Sequence, residues 1–293
     1  MIDQKTSELV AVIGMSCRFP NAKNIQEYWE LLTAGEDAIR FFTEEELINA
    51  GVSEVNINDP DYVPAGYVID DIDKFDHQLF RYNPLEAERI DPQQRKFLEC
   101  SWECIEDSGY NPKNIEVPTG VFAGVRTSSY LDLFSEKEKR NGTTCGFQIL
   151  IGNDKDYLSS RVAYKLNLKG PSVTVQTACS TSLVALHLAC ESIRNYECEM
   201  AIAGGVALSV PTKQGYFYQK DMTFSPDGEC RAFDANGKGV TGSNGVGCVL
   251  LKRLDLAIRD HDHIYAIIRG TAVNNDGQEK IGLRYSFMEM MKR

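Results

Sequence analysis

The chain has 293 residues, 43% of them apolar, enough to bury a sizeable core in one large domain or two modest ones. Its 31 Lys and Arg against 42 Asp and Glu leave a net charge of −11, which argues against nucleic acid as a main partner. Nine cysteines without a Cys-x-x-Cys pair, and an N-terminus that does not read as a secretory leader, point to free thiols in a reducing cytoplasm; no apolar run is long enough for a membrane span.

Residues 1–8 are polar and read as a disordered end or linker. Residues 9–14 (Leu-Val-Ala-Val-Ile-Gly) form an unbroken apolar run, the pattern of a strand buried on both faces. After a loop at 17–20, Asn24 caps a helix over 26–34 that Gly35 stops. Residues 41–90 are loop-rich, with Glu44-Glu45-Glu46 as a solvated acidic turn. Asp91 followed by Pro92 opens a strong helix to Asp107, carrying Phe97, Leu98, Trp102 and Ile105 on its apolar face and ending at Gly109. Residues 119–124 form a second short strand, 126–150 are polar with no assignment, and 156–166 are helical. Strands follow at 200–207 and 245–254, then a short helix at 254–260 and a last strand at 264–273. Helices alternating with buried strands predict a layered α/β fold with a mostly parallel sheet.

The stretch 170–193 organises the rest. Residues 173–177 are β-branched apart from Gln176 and follow a Gly-Pro breaker, so they read as a short buried strand. From Leu183 onward, Leu186, Cys190 and Ile193 recur at helical spacing. Ser180, Thr181 and Ser182 between them are helix-capping residue types. Cys179 therefore falls at a strand-to-helix corner, where backbone N–H groups and the helix dipole favour a thiolate, and it is the candidate nucleophile. The other eight cysteines read as packing residues, Cys100, Cys104, Cys190 and Cys248 most clearly. His187 flanks the core two turns into the helix, which carries it away from the thiol. Asp260-His-Asp-His263 reads as a solvated turn, since four adjacent side chains cannot converge on one metal. Gly239, Gly242, Gly245 and Gly247 lead into a strand, the reverse of a phosphate loop, and read as sites of close backbone packing near the thiol.

Seven stretches in order resemble the β-ketoacyl synthase family, specifically the ketosynthase domain of modular polyketide synthases. They are Val12-Ile-Gly-Met-Ser-Cys-Arg-Phe-Pro20, Asp91-Pro-Gln-Gln-Arg95, Gly120-Val-Phe-Ala-Gly124, Thr177-Ala-Cys-Ser-Thr-Ser182, Ser225-Pro-Asp-Gly228, Arg231-Ala-Phe-Asp234 and Asn274-Asn-Asp-Gly277. The resemblance implies a thiolase-like fold of two α/β halves in layered αβαβα order, of which residues 9–293 cover the first half and the opening strand of the second. It implies a homodimer formed through the strand before the cysteine. It makes Cys179 the catalytic residue, which accepts an acyl group from the phosphopantetheine arm of an acyl carrier protein before decarboxylative Claisen condensation. No directly bound cofactor, metal, nucleic acid or membrane is implied.

The family's two catalytic histidines lie in a His-Gly-Thr-Gly-Thr motif and a Lys-Ser-Asn…Gly-His segment, and neither occurs here; His77, His187, His261 and His263 match neither. Residues 283–293 leave the family pattern. The expectation is a truncated ketosynthase that carries the nucleophile but is defective in condensation. The rival expectations are a thiolase-type enzyme acting on coenzyme A thioesters, and a catalytically dead remnant that dimerises or holds a carrier protein.

Overall fold

The computed structural model describes residues 8–140, 142–275 and 277, so that most of the 1–8 segment and all of 283–293 lie outside the described residues. β1 (Val10–Arg18) continues four residues past the apolar run read from sequence. Asn24 caps α1 (Ile25–Ala34) by accepting the Glu27 N–H, and Gly35 closes it at φ 66°. Residues 41–90 hold more than loops. The two-residue strands β2 (Arg40–Phe41) and β4 (Ala65–Gly66) pair, and β3 (Tyr62–Val63) awaits a partner later in the chain. Between them lie α2 (Glu44–Asn49) and α3 (Glu54–Ile57), with α4 (Pro84–Glu88) beyond. The acidic run is the first turn of α2, not a free turn: Thr43 and Glu46 form a reciprocal capping box.

α5 (Pro92–Asp107) and β5 (Thr119–Val125) lie where their caps and apolar patterns put them. α6 (Thr144–Asn153) falls in the stretch that sequence left unassigned, because its apolar residues do not gather on one face. α7 (Tyr157–Lys165) leads to β6 (Ser172–Thr174), then α8 (Thr181–Arg194), β7 (Met200–Ala207), β8 (Tyr216–Phe217, paired with β3), β9 (Gly245–Arg253), α9 (Leu254–Arg259) and β10 (Ala266–Ile268).

The main sheet has the order β10-β1-β9-β7-β5-β6. Only β6 and β7 run parallel to β5; β9 is antiparallel to both β7 and β1, and β10 antiparallel to β1. The sheet is therefore mixed, against the mostly parallel expectation. Parallel neighbours need a crossover helix, which α7 and α8 supply, whereas residues 208–244 return to β9 without one. β6 is also not buried: it is a three-residue edge strand with Val173 41% exposed.

Helices cover both faces. On one, Phe97, Leu98 and Ile105 of α5 and Leu158 and Val162 of α7 pack on Ile13, Val121, Met200, Ile202 and Leu250. On the other, Ala185, Ala189, Cys190 and Ile193 of α8 pack on Val10, Val12, Phe122, Ala201, Ala203 and Leu251. The small Ala185 and Ala189 let α8 lie close on the sheet, which fixes where its first turn stands. The turn after α9 is exposed at Asp260, His261 and His263, as read from sequence, but its two carboxylates are engaged and Asp262 is drawn in. Asp260 and Asp262 each hold the buried Lys252 Nζ at 2.7 Å, and Tyr110 OH lies 2.6 Å from the same nitrogen. No group of side chains able to hold a metal occurs there or elsewhere among the described residues.

Candidate active site

Cys179 lies in a single 3-10 turn (Ala178–Ser180) that joins the β6 segment to α8. The approach is held alongside β5: the Val175 N–H donates to the Ala123 carbonyl at 2.8 Å, and Gln176 Nε2 to the Val125 carbonyl at 3.1 Å. At the corner Ala178 takes φ 54°, a left-handed conformation that costs a residue with a Cβ on the order of 1 kcal/mol. Thr181 bridges the bend: its hydroxyl accepts the Thr177 N–H at 2.9 Å and donates to the Ala178 carbonyl at 2.7 Å. Ser180 donates back to the Thr177 carbonyl at 2.9 Å. These hydroxyls staple the elbow and do not cap the helix as their residue types suggest. No side chain caps either the 3-10 turn or α8; the Thr181 N–H is taken by the Ala178 carbonyl, so the backbone donors left for an anion are those of the 3-10 turn that carries Cys179.

The sheet beneath is shaped to admit this corner. Gly124, Gly205, Gly247 and Cys17 lie side by side across β5, β7, β9 and β1. A Cβ on Gly124 would stand 2.6 Å from the Val175 carbonyl oxygen and closer still to the Thr181 methyl. The glycine is what lets the first turn of α8 sit on the sheet. Gly245 and Gly247 face the Phe19 ring at 3.0 Å and 3.3 Å from where a Cβ would be, as expected of close-packing glycines, while Gly242 has nothing within 4 Å.

Cys179 is exposed and opens into a cavity of about 1160 Å³. Its floor is the glycine row; its walls are Phe19, the α1 residues Ile25, Tyr28, Trp29 and Leu32, and Leu183 and Leu186 of α8. Cys17 lines it too, but burial, reinforced by the neighbouring Cys100, pushes its thiol up to about 12, so it stays protonated. Cys100, Cys104, Cys190, Cys198 and Cys248 are buried, as their packing reading requires. No histidine lines the cavity among the described residues. His77 Nδ1 meets the Tyr82 carbonyl at 2.9 Å, His187 Nδ1 meets Thr271 Oγ1 at 2.8 Å, and His263 sits edge-on to Tyr265. Sequence reading passed over the α1 wall, whose amphipathic spacing signalled only a packed helix, and over Arg126 and Lys155, which also line the cavity.

The β-ketoacyl synthase N-terminal domain pattern matches residues 7–257. The chain belongs to the β-ketoacyl synthase family. It is 43% identical over 280 residues to a component of the phenolphthiocerol/phthiocerol polyketide synthase of Mycobacterium tuberculosis, covering 93% of this chain and 19% of that protein. It is 42% identical over 274 residues to polyketide synthase PksN of Bacillus subtilis, covering 93% of this chain and 5% of that one. Ketosynthase twelve of the bacillaene polyketide synthase from Bacillus amyloliquefaciens superposes with a TM-score of 0.87 at 42% identity, over 94% of this chain and 48% of that chain. The ketosynthase from module 1 of the bacillaene synthase of that species gives 0.81 at 37%, over 95% and 48%. The chain thus spans about half the length of these ketosynthases and shares their thiolase-like α/β fold.

In this β-ketoacyl synthase chain the Asp-Pro-Gln-Gln-Arg motif is scaffolding for the site. Asp91 caps α5 through the Gln93 N–H at 2.8 Å. Gln93, fully buried, donates to the Arg126 carbonyl and accepts the Leu208 N–H, both at 3.1 Å, tying the ends of β5 and β7. Gln94 donates to the Asp154 carbonyl at 3.0 Å and accepts from Arg161 at 2.6 Å, tying down the α6–α7 turn. Asp227 in the Ser-Pro-Asp-Gly motif is held well below the usual carboxylate range by the Ser225 hydroxyl and Arg231, marking a locked loop.

Proposed function

We propose that this chain is the cysteine-bearing part of a polyketide ketosynthase, with Cys179 accepting an acyl group from the phosphopantetheine arm of a carrier protein. The observation that supports it is the exposed Cys179 on a strained, hydroxyl-stapled elbow, facing a large apolar cavity. In the step, the Cys179 thiolate adds to the thioester carbonyl and a tetrahedral oxyanion forms. The C–S bond to the arm then breaks, and the arm leaves as a thiolate that takes up a proton. One thioester replaces another, so the enzyme's task is to position the thiol and hold the oxyanion. The uncapped N–H groups of the 3-10 turn that carries Cys179 suit that role.

The arm belongs to the donor, and the chain itself needs no cofactor for this exchange. Condensation with a malonyl-type extender needs histidines, and none lines the cavity among the described residues, which supports a reading in which loading of Cys179 is the step this site performs. The exposed edge strand β6, with Phe147 60% and Leu150 50% exposed on α6, suits a homodimer seam along that edge. A reducing cytoplasm suits nine free thiols, and no helix among the described residues is long and apolar enough to cross a membrane.

The test is intact-mass analysis of the protein incubated with an acyl carrier-protein thioester and a malonyl extender. An acyl adduct that Cys179→Ala abolishes, without an extended ketoacyl product, is expected. Absence of any Cys179 adduct from the folded protein would refute the loading step, and an extended product would refute the loading-only reading.

A further inference from the structure

Two residues that line the Cys179 cavity carry charge, Arg126 and Lys155, and no carboxylate lines it among the described residues. In a chain of net charge −11 this is a local reversal of sign. Both cations stand on backbone that is pinned. Arg126 follows β5 directly: its N–H donates to the Val206 carbonyl at 3.1 Å, its carbonyl takes the buried Gln93, and its Nη1 donates to Ser209 Oγ at 2.7 Å. Lys155 sits in the α6–α7 turn. There the buried Asn153 donates to the Arg89 and Ile149 carbonyls at 2.9 Å and 2.8 Å, and the buried Gln94 holds the Asp154 carbonyl.

The two carboxylates next to Lys155 make no ion pair with it. Asp154 and Asp156 are exposed, Asp154 accepts the Asp156 N–H at 2.9 Å, and the Lys155 ammonium makes no hydrogen bond or ion pair with any described residue. Arg126 lies just past the end of β5, two residues beyond Gly124, and Gly124 is the residue pressed against Thr181, two positions after Cys179. Arg126 is exposed and Lys155 half-buried, so both meet solvent, but two cations on pinned backbone beside an apolar wall without a facing carboxylate still give that side of the cavity a positive potential.

We propose that Arg126 and Lys155 form an anion subsite beside Cys179 that takes an oxyanion of the acyl donor, a carboxylate or a phosphate. The proposal builds on the acyl-accepting reading and names what that site selects. A donor that carries its negative charge at the reach of this pair is held for attack; a neutral donor of the same length gains nothing from it.

Four donors separate the two sources. Pentanoyl-pantetheine is compared with glutaryl-pantetheine, which adds a carboxylate on the acyl end, and pentanoyl-phosphopantetheine with its glutaryl counterpart, which add the phosphate on the arm. Acylation rates at Cys179 are read by mass spectrometry for the parent, Lys155→Glu and Arg126→Gln. The expected result is that one of the two anionic groups speeds acylation of the parent about tenfold, and that Lys155→Glu removes the preference. Rates that ignore both anions in the parent would overturn the proposal.

The ratio of Cys179 alkylation by iodoacetate to that by iodoacetamide gives a readout that needs no acyl transfer. It should fall about tenfold in Lys155→Glu and several-fold in Arg126→Gln. If no thioester acylates Cys179 but this ratio still falls, the acyl-acceptor reading fails and the anion subsite stands. If the ratio is the same in all three proteins, the subsite is refuted.

Discussion

Replacing Gly124 with alanine puts one methyl group between the sheet and the Cys179 elbow. Its Cβ would lie 2.6 Å from the Val175 carbonyl oxygen and 3.3 Å from Thr181 Cβ, with the Thr181 methyl nearer than either. The Val175 backbone cannot easily yield, because its N–H is bonded to the Ala123 carbonyl at 2.8 Å. Thr181 yields only by giving up its two hydrogen bonds across the strained Ala178. Overpacking of this kind costs about 1–3 kcal/mol. Removing a glycine from the unfolded chain offsets about 0.4–1 kcal/mol of that, so the steric cost prevails and a net loss of about 1–2 kcal/mol remains. For a chain of this size that lowers Tm by about 2–3 °C. Gly242→Ala, with nothing within 4 Å of the new methyl, is the matched control. Thermal unfolding followed by circular dichroism supplies the stability, and the iodoacetamide alkylation rate of Cys179 reports the elbow. A Gly124→Ala protein that melts within about 1 °C of the control, with the parent's alkylation rate, would refute the claim that this glycine seats the elbow.

Limiting iodoacetamide should label Cys179 and Cys230, the two exposed thiols, while the six buried ones, Cys17 among them, react only after denaturation; peptide mapping checks this, and uniform labelling of the native protein would contradict it. Phe97→Ala, at a fully buried position between α5 and the sheet, should cost about 3–5 kcal/mol in denaturant unfolding. Asp260 is held below the usual carboxylate range by Arg259 and Lys252. A depressed folded-state pKa contributes stability that is complete above the unfolded value near 3.9 and is lost as pH falls through the folded one. Tm should therefore be insensitive to this group at about pH 5–7 and fall with acid below about pH 4. Asp260→Asn should lower Tm at neutral pH and flatten the acid slope, and an unchanged slope would show that the contact with Lys252 does not contribute.

The elements that the sequence by itself determined are those whose information is local. The caps of α1 and α5, the apolar runs of β1, β5, β7 and β9, and the placement of Cys179 between an extended segment and a helix all follow from residue types at fixed spacings. Such spacings constrain a few consecutive dihedrals or one face of an element. The motif order carried the family assignment for the same reason, since it needs no contacts between distant residues.

What the tertiary structure decided involves partners far apart in the chain. The direction of β9 depends on residues 208–244 returning without a crossover helix, which alternation along a strand does not encode. The capping residue types at Ser180 and Thr181 were read for a helix start, but Gly124 and the backbone at Thr177 and Ala178 recruit Thr181 to hold the elbow instead. Asp262 looks solvated in sequence and turns inward, and the exposed Asp260 reaches the same nitrogen, because Lys252, on β9, is buried beneath them. Arg126 and Lys155 are ordinary surface residue types, 29 positions apart by their numbering; folding alone sets them in one wall with Cys179, where no carboxylate lines the cavity among the described residues. Charge in a cavity is a property of which surfaces meet, and linear order does not record that.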